Sequence, residues 1–131
     1  MVWKLDRKAK RFVGLQTPYN GTIFSVMGKG AAVLALGQRG SLYRSKDAGA
    51  SWQRVDLSVK ATLLGGTVSE DGRIFLVTQG GNIIVSKDDG ATFSEIKRET
   101  GLGIPAHAVT VLDRNTLVIA GFIGAQVQHI D

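Results

Sequence analysis

A repeated eight-residue segment constrains the fold of this chain more than any other feature. The segment at residues 45–52 recurs at residues 86–93, an offset of 41 residues, with the pattern Ser-Lys-Asp-x-Gly-Ala-Ser/Thr-aromatic. The agreement extends to both sides, where Gly40, Leu42, Tyr43 and Val55 match Gly81, Ile83, Ile84 and Ile96. A period of this length is typical of proteins that stack copies of one supersecondary unit.

Each copy of the segment predicts a tight turn between two strands. Serine and aspartate side chains accept hydrogen bonds from nearby turn amides, and glycine adopts the positive φ that other residues resist. The aromatic residue then opens the next strand and buries a large apolar surface beneath the turn. The positions to which we assign this structural role are Ser45, Asp47, Gly49, Trp52, Ser86, Asp88, Gly90 and Phe93.

Composition and alternation extend the pattern to the whole chain. Glycine accounts for 17 of 131 residues, nearly double the usual ~7%, which a helical domain would not tolerate. Apolar alternation predicts two more strands in each unit, namely Thr22–Met27 with Ala32–Leu36, Leu63–Val68 with Ile74–Thr78, and Ala108–Leu112 with Leu117–Ala120. Four strands in about 41 residues are typical of a propeller blade. The sequence therefore predicts an all-β unit of about three four-stranded antiparallel blades, at about 15–56, 57–97 and 98–131.

The two ends of the chain carry incomplete copies of the unit. A degenerate third copy aligns Gly124, Val127 and Asp131 with Gly81, Ile84 and Asp88. At the other end, Trp3-Lys4-Leu5 resembles the strand that follows each complete segment. Residues 2–6 are therefore predicted to be a spare outer strand, which closes either the chain's own third blade or that of a partner.

The repeated segment resembles the Asp-box of BNR-repeat β-propellers. This group includes sialidases, sortilin-like receptors and photosystem II assembly-factor-like proteins, and residues 18–24 and 37–45 look most like the last of these. The likeness covers residues ~15–97 well and the flanks loosely. It implies a propeller architecture, but unrelated activities share the Asp-box, so function has to be argued from the site.

A sialidase-like catalytic set cannot be assigned to this sequence. Such a set needs converging arginines, a tyrosine nucleophile paired with a glutamate, and an acid/base aspartate, yet Glu70, Glu95 and Glu99 have no tyrosine nearby in sequence. Asp47 and Asp88 lie on equivalent turns one blade apart, so we do not expect them to form the carboxylate pair of a glycosidase.

Metal and cofactor sites are not predicted either. His107 and His129 are isolated in the sequence, and the chain has no cysteine, so neither a histidine cluster nor a thiolate site is indicated. We therefore expect a non-catalytic protein with no cofactor and no metal.

The charge of the chain is divided unevenly between its halves. The net charge is +5, with +8 on residues 1–60 and −3 on residues 61–131. This division indicates either an anionic partner for the first half or attraction between the two halves. The densest basic cluster, Lys4, Arg7, Lys8, Lys10 and Arg11, is either a solvated turn or a contact with phosphate or an acidic protein. Nucleic acid is disfavoured, because aromatic residues do not alternate with the basic ones.

The sequence gives no sign of membrane insertion. No apolar stretch approaches the length of a membrane helix, and the charged N-terminus lacks the apolar core of a signal peptide. The expected location is therefore the cytoplasm, although related propellers are often exported.

Blade geometry predicts where a partner would bind. The turns between second and third strands and the links between blades emerge on one face, and the repeated turns emerge on the other. Loops on a rigid scaffold are the usual binding elements. The candidates on the first face are Arg39, which Gly37 and Gly40 leave unobstructed, together with Gln38, Tyr19, Lys60, Gln79 and Phe122. Phe122 either contacts a partner or fills the central channel.

Three blades do not close a ring, since propellers have about 4–8 blades. We therefore predict a homodimer that completes a six-bladed ring, the alternative being a fragment of a larger propeller. The predicted function is a non-catalytic protein-interaction or assembly module. The alternative function is that of a carbohydrate-binding protein or relic sialidase-like glycosidase.

Overall fold

The computed structural model describes residues 2–96, 105–122 and 124–130, and these residues form thirteen strands and one short 3-10 turn. The 3-10 turn spans Gln38–Gly40. The strands are β1 (Val2–Asp6), β2 (Arg11–Leu15), β3 (Ile23–Lys29), β4 (Ala32–Gly37), β5 (Leu42–Ser45), β6 (Gln53–Val55), β7 (Leu63–Val68), β8 (Ile74–Thr78), β9 (Ile83–Ser86), β10 (Ser94–Ile96), β11 (Ala106–Asp113), β12 (Thr116–Gly121) and β13 (Gly124–His129).

The strands form three antiparallel meanders and a hairpin. The first sheet contains β3 to β6 and the second sheet β7 to β10, each with four strands in chain order. The third sheet contains β11 to β13, and the remaining hairpin, β1 with β2, is called the arm below. The predicted all-β architecture of antiparallel blades is confirmed.

The sheets stack face to face, and the second sheet is buried on both faces. One face of this sheet presents Ile74, Leu76 and Ile84 to the first sheet. Its other face presents Phe75, Val77 and Ile83 to the third sheet. A strand that is covered on both sides reads as a continuous apolar run rather than as an alternation. This explains why the whole of β8 is buried.

The third sheet is one residue out of the register that the sequence alignment predicts. Leu117 and Ile119 face the second sheet, whereas Val127, aligned above with the buried Ile84, is 60% exposed. Because the side-chain period of a strand is two, a one-residue shift moves every side chain to the opposite face. The shift buries the larger leucine and isoleucine. Asp131, the other end of that alignment, lies outside the described residues.

Residues 2–6 pair with the strand that follows them. Val2 lies opposite Leu15, a spacing of 13 residues, and the same spacing separates the paired Leu42 and Val55 of the first sheet. The arm therefore has the same pairing register as the third and fourth strands of the first sheet. The sequence comparison missed this pairing because the turn between β1 and β2 lacks the repeated serine–aspartate segment.

The arm makes little contact with the rest of the chain. Val2 is its only buried residue, and it packs beside Ala35 and Tyr43 of the first sheet. The turn of the arm is held by Asp6, whose Oδ1 accepts hydrogen bonds at 3.0 Å from the backbone N–H groups of Lys8 and Ala9. Most of the arm thus projects from the stacked sheets.

The close approach of the second and third sheets yields a stability prediction. A Cβ at Gly65 would lie 2.7 Å from the backbone oxygen of His107. Gly65→Ala is therefore expected to lower the free energy of unfolding by about 1–3 kcal/mol, the usual cost of overpacking. Urea unfolding measures this loss.

A second glycine provides the matched control. A Cβ at Gly28 would lie 3.6 Å from the carbonyl oxygen of Ala32, which is ordinary van der Waals contact. Gly28→Ala is therefore expected to cost much less. Equal losses for the two variants would contradict the packing argument.

Candidate interaction face

The links between sheets and the turns between second and third strands converge on one side of the molecule. We call this side the loop face, comprising residues 16–22, 37–41, 56–62, 78–82 and 121–122. Glycines allow these segments to touch. A Cβ at Gly40 would lie 2.3 Å from the oxygen of Val59, and one at Gly121 would lie 2.3 Å from the oxygen of Pro105. The loop face is therefore packed backbone against backbone.

Arg39 lies at the centre of a tight turn on the loop face. Its φ of 54° and ψ of 37° are left-handed, a conformation that costs a non-glycine residue on the order of 1 kcal/mol. The turn is closed by backbone hydrogen bonds from Gly37 to Ser41 (2.8 Å) and from Ser41 to Gln38 (2.9 Å). Gln38 and Arg39 are both exposed. Within the described residues, no acidic side chain forms an ion pair with Arg39.

Lys60 is brought to the same place by the link between the first and second sheets. Its Cα would lie 3.1 Å from a Cβ at Gly40, the residue that follows Arg39. Lys60 is exposed and, like Arg39, forms no ion pair with the acidic side chains that the structure describes. The loop face therefore combines two basic side chains that are 21 positions apart in the sequence.

Tyr19 forms a wall of this face and is only partly exposed. Its ring stacks on that of Tyr43, with a centroid distance of 5.6 Å and an interplanar angle of 29°. Its Cε2 would lie 3.1 Å from a Cβ at Gly37. The guanidinium carbon of Arg54 lies 5.9 Å from the centroid of the Tyr43 ring. Most of the Tyr19 ring is thus used in packing.

Gln79 and Phe122 lie further along the loop face. The backbone N–H of Gln79 donates to the oxygen of Thr62 at 2.8 Å, and its side chain is exposed. Phe122 is 80% exposed. Its neighbour Ile123 lies outside the described residues.

Sequence reasoning missed the polar connection beside Gln79. Thr78 Oγ1 donates to Asn82 Oδ1 at 2.8 Å, and Asn82 Nδ2 donates to Glu95 Oε1 at 2.9 Å. These bonds tie the loop face to the outer strand β10. Ser41, the residue that aligns with Asn82, gives no comparable signal in the sequence, so only the three-dimensional contact reveals the connection.

The repeated turns lie on the opposite face and satisfy their own polar groups. In the first turn, Asp47 Oδ1 accepts hydrogen bonds from the backbone N–H of Ser51 and from Ser45 Oγ, both at 2.8 Å. Ser45 Oγ in turn accepts from the backbone N–H of Gly49 at 2.8 Å. The hydrogen bonds from Ser51 and Ser45 lower the pKa of Asp47 to about 2.

The second repeated turn has the same geometry. Asp88 Oδ1 accepts from the backbone N–H of Thr92 at 2.9 Å and from Ser86 Oγ at 2.7 Å. The hydrogen bonds from Thr92 and Ser86 lower the pKa of Asp88 to about 2. A general acid in glycoside hydrolysis needs a raised pKa. These two carboxyl groups therefore lack that property.

A cleft of about 630 Å³ opens on the same face as the repeated turns, between the β7–β8 and β11–β12 turns. Arg73 crosses it, donating from Nε to Asp71 Oδ1 at 3.0 Å and from Nη2 to the carbonyl oxygen of Arg114 at 2.6 Å. The guanidinium also lies 5.2 Å from the Phe75 ring centroid. Arg73 thus joins the second and third sheets through hydrogen bonds from Nε and Nη2.

The described residues provide no metal centre and no membrane span. Across residues 2–96, 105–122 and 124–130, no group of three or more His, Cys, Asp or Glu side chains could hold a metal ion. His107 is exposed, and Nδ1 of His129 lies 3.4 Å from Thr116 Oγ1. Over the same ranges, no helix has the length and apolarity needed to cross a bilayer.

Several solved structures share this fold. A structure of YCF48 bound to D1 peptide superposes with a TM-score of 0.74 at 15% identity, covering 88% of this chain and 41% of that chain. YCF48 from Cyanidioschyzon merolae gives a TM-score of 0.58 at 11% identity, covering 92% of this chain and 42% of that one. The computationally designed Ika4 protein gives a TM-score of 0.60 at 18% identity, covering 81% of this chain and 64% of that chain.

These comparisons establish a β-propeller fold and no closer relationship. YCF48 is a β-propeller assembly factor of photosystem II. The present chain spans less than two thirds of the length of each of the three proteins. No protein-family model matches the sequence, and no curated protein matches it.

The lowered pKa of Asp47 makes a prediction about acid stability. A carboxyl group whose pKa falls from 3.8 to about 2 on folding stabilises the fold fully above the unfolded value, and this stabilisation is lost as the pH falls toward 2. Asp47→Asn is therefore expected to reduce the free energy of unfolding at pH 7, and by much less near pH 2. Urea unfolding at the two pH values tests this.

Asp56 supplies the control for this measurement. Its side chain is 98% exposed and lies 3.9 Å from Arg54, a surface pair of little energetic value. Asp56→Asn is expected to leave the unfolding free energy nearly unchanged at both pH values. A loss in Asp47→Asn that is the same at both pH values would contradict the hydrogen-bond argument.

Proposed function

We propose that this protein is a non-catalytic protein-interaction module that binds a segment of a partner protein on the loop face. Arg39 and Lys60 carry the proposal, because both are exposed, the Lys60 backbone lies against the turn that holds Arg39, and neither forms an ion pair with an acidic side chain of the described residues. A guanidinium presented by a rigid turn is suited to a carboxylate or phosphate.

The proposed partner segment has an anionic group and an apolar flank. Arg39 and Lys60 would contact the anionic group, while Tyr19 and Phe122 would offer aromatic surface and Gln38 and Gln79 would hydrogen-bond the peptide backbone. One of the structures with this fold is YCF48 bound to D1 peptide, which supports a peptide as the class of ligand. An assembly role in the manner of YCF48 belongs to the same proposal.

We interpret the repeated turns as structural Asp-boxes. Their serine and aspartate side chains hydrogen-bond one another and the backbone amides of the same turn, so the carboxylates of Asp47 and Asp88 are engaged within the turns. This supports a non-catalytic function over a relic glycosidase. A carbohydrate-binding function remains the rival that the binding experiment distinguishes.

We also propose that a second chain completes the propeller ring, giving six blades. Three stacked sheets per chain and the charge division between the two halves of the sequence support this arrangement.

Binding of a synthetic peptide tests the function of the loop face. The probe is the D1 peptide with a free C-terminal carboxylate, compared by calorimetry with the same peptide carrying a C-terminal amide. Arg39→Asn removes the cation while keeping a residue that tolerates left-handed backbone. It is expected to weaken binding by about 10- to 100-fold, since a hydrogen bond to a charged group contributes about 1.5–3 kcal/mol.

Lys46→Asn is the matched control, because Lys46 is an exposed lysine in a repeated turn on the opposite face. It removes the same charge and is expected to leave peptide affinity unchanged. If both variants lose the same peptide affinity, the effect of Arg39→Asn arises from the change in net charge and not from the loop face. Binding to a glycan array that is unaffected by Arg39→Asn, without peptide binding, would overturn the proposal in favour of the carbohydrate-directed rival.

A further inference from the structure

Two apolar surfaces remain uncovered at opposite ends of the stack of sheets. At one end, Trp3, Leu5 and Phe12 lie on one face of the arm, where Leu5 is directly opposite Phe12. Trp3 and Phe12 are 61% and 65% exposed. At the other end, Leu112 and Val127 of the third sheet are exposed. Apolar patches of this kind mark contact surfaces.

The repeat identifies what kind of surface each of these is. Trp3 in the arm corresponds in register to Tyr43 in the first sheet. Trp3 follows Val2, which pairs with Leu15, and Tyr43 follows Leu42, which pairs with Val55 at the same spacing of 13 residues. Tyr43 is buried where the first sheet meets the arm that precedes it. The exposed face of the arm is therefore the face with which a unit contacts its predecessor.

The exposed face of the third sheet is the opposite kind of surface. Leu117 and Ile119 of the third sheet contact the second sheet, so Val118 and Val127, which pair with each other, face away from it. In the second sheet, the corresponding face away from its predecessor carries Phe75, Val77 and Ile83, and the third sheet covers it. The exposed face of the third sheet is therefore the face with which a unit contacts the unit that follows it.

One chain therefore carries both halves of a single type of contact. We call the exposed face of the third sheet the successor face and the exposed face of the arm the predecessor face. The successor face of one copy can pack against the predecessor face of another copy. Such a contact is a head-to-tail, or heterologous, interface. The charges agree, because residues 1–60 carry +8 and residues 61–131 carry −3. The five basic side chains of the arm form no ion pair with the acidic side chains of the described ranges.

We infer that the third sheet of one copy packs against the arm of a second copy. Trp3 and Phe12 of the arm meet Leu112 and Val127 of the neighbouring copy. Repeating the contact in the other direction closes two copies into a ring. This inference names the surfaces of the second chain in the proposed function and does not depend on the peptide site.

Light scattering on the 131-residue chain tests the interface with two variants. The parent protein is expected to have about twice its 14.0 kDa chain mass at micromolar concentration. Phe12→Lys damages only the predecessor face, and Val127→Asp damages only the successor face. Both substitutions are at exposed positions, and far-UV circular dichroism confirms folding. Each variant alone is expected to be a monomer.

Mixing the two variants distinguishes head-to-tail packing from other dimers. The mixed pair has one undamaged interface and one in which Lys and Asp attract, so the dimer is expected to return. Ala31→Lys, at an exposed turn away from both faces, is expected to remain a dimer. A monomeric parent, or variants that stay monomeric when mixed, would overturn the inference. A dimer that survives one of the two substitutions would indicate a symmetric contact instead.

The peptide proposal and this inference fail separately. Arg39→Asn is expected to leave the dimer mass unchanged, and its effect on peptide affinity is measured independently. Loss of the dimer in Phe12→Lys with retained peptide binding would support both.

Discussion

Burial of the second sheet between its two neighbours is the interaction on which the rest of the structure depends. Ile74 to Val77 are buried and face the first and third sheets alternately. This arrangement sets the distance between the sheets. Glycine occurs where two backbones approach closely, as at Gly65 against His107. Because protein interiors are close-packed, the distance between the sheets also fixes the distance between the links that join them. The proximity of Lys60 to the Arg39 turn is a consequence of that stacking.

The two faces of the stack are organised differently, and this difference supports the functional argument. On one face, the carboxylates of Asp47 and Asp88 are held by hydrogen bonds within their own turns, and Arg73 is engaged between two sheets. On the loop face, Arg39 and Lys60 are exposed without acidic partners among the described residues. The loop face thus presents two unpaired cations on segments whose backbones touch, while the carboxylates of Asp47 and Asp88 are engaged within their own turns.

Much of the fold could be predicted from repetition and alternation. The strands β3, β4, β7, β8, β11 and β12 lie close to their predicted positions, because their apolar patterns are long and their turns contain glycine or aspartate. The register of the third sheet could not be predicted, since Leu117, Val118 and Ile119 are all apolar and alternation alone does not say which faces the core. The pairing of residues 2–6 with β2 was also missed, because the turn between these strands uses Asp6 in place of the repeated segment.

Short-range sequence patterns account for the local structures. The spacing of Ser, Asp and Gly specifies each repeated turn, because the bonds that hold it join residues within four positions of one another. The tertiary structure decided which surfaces are covered and which residues meet on the loop face. Lys60 reaches the Arg39 turn, and Trp3 and Val127 remain exposed, only because whole sheets pack against one another. Contacts of that kind depend on the summed burial of many side chains, which no short segment of sequence encodes.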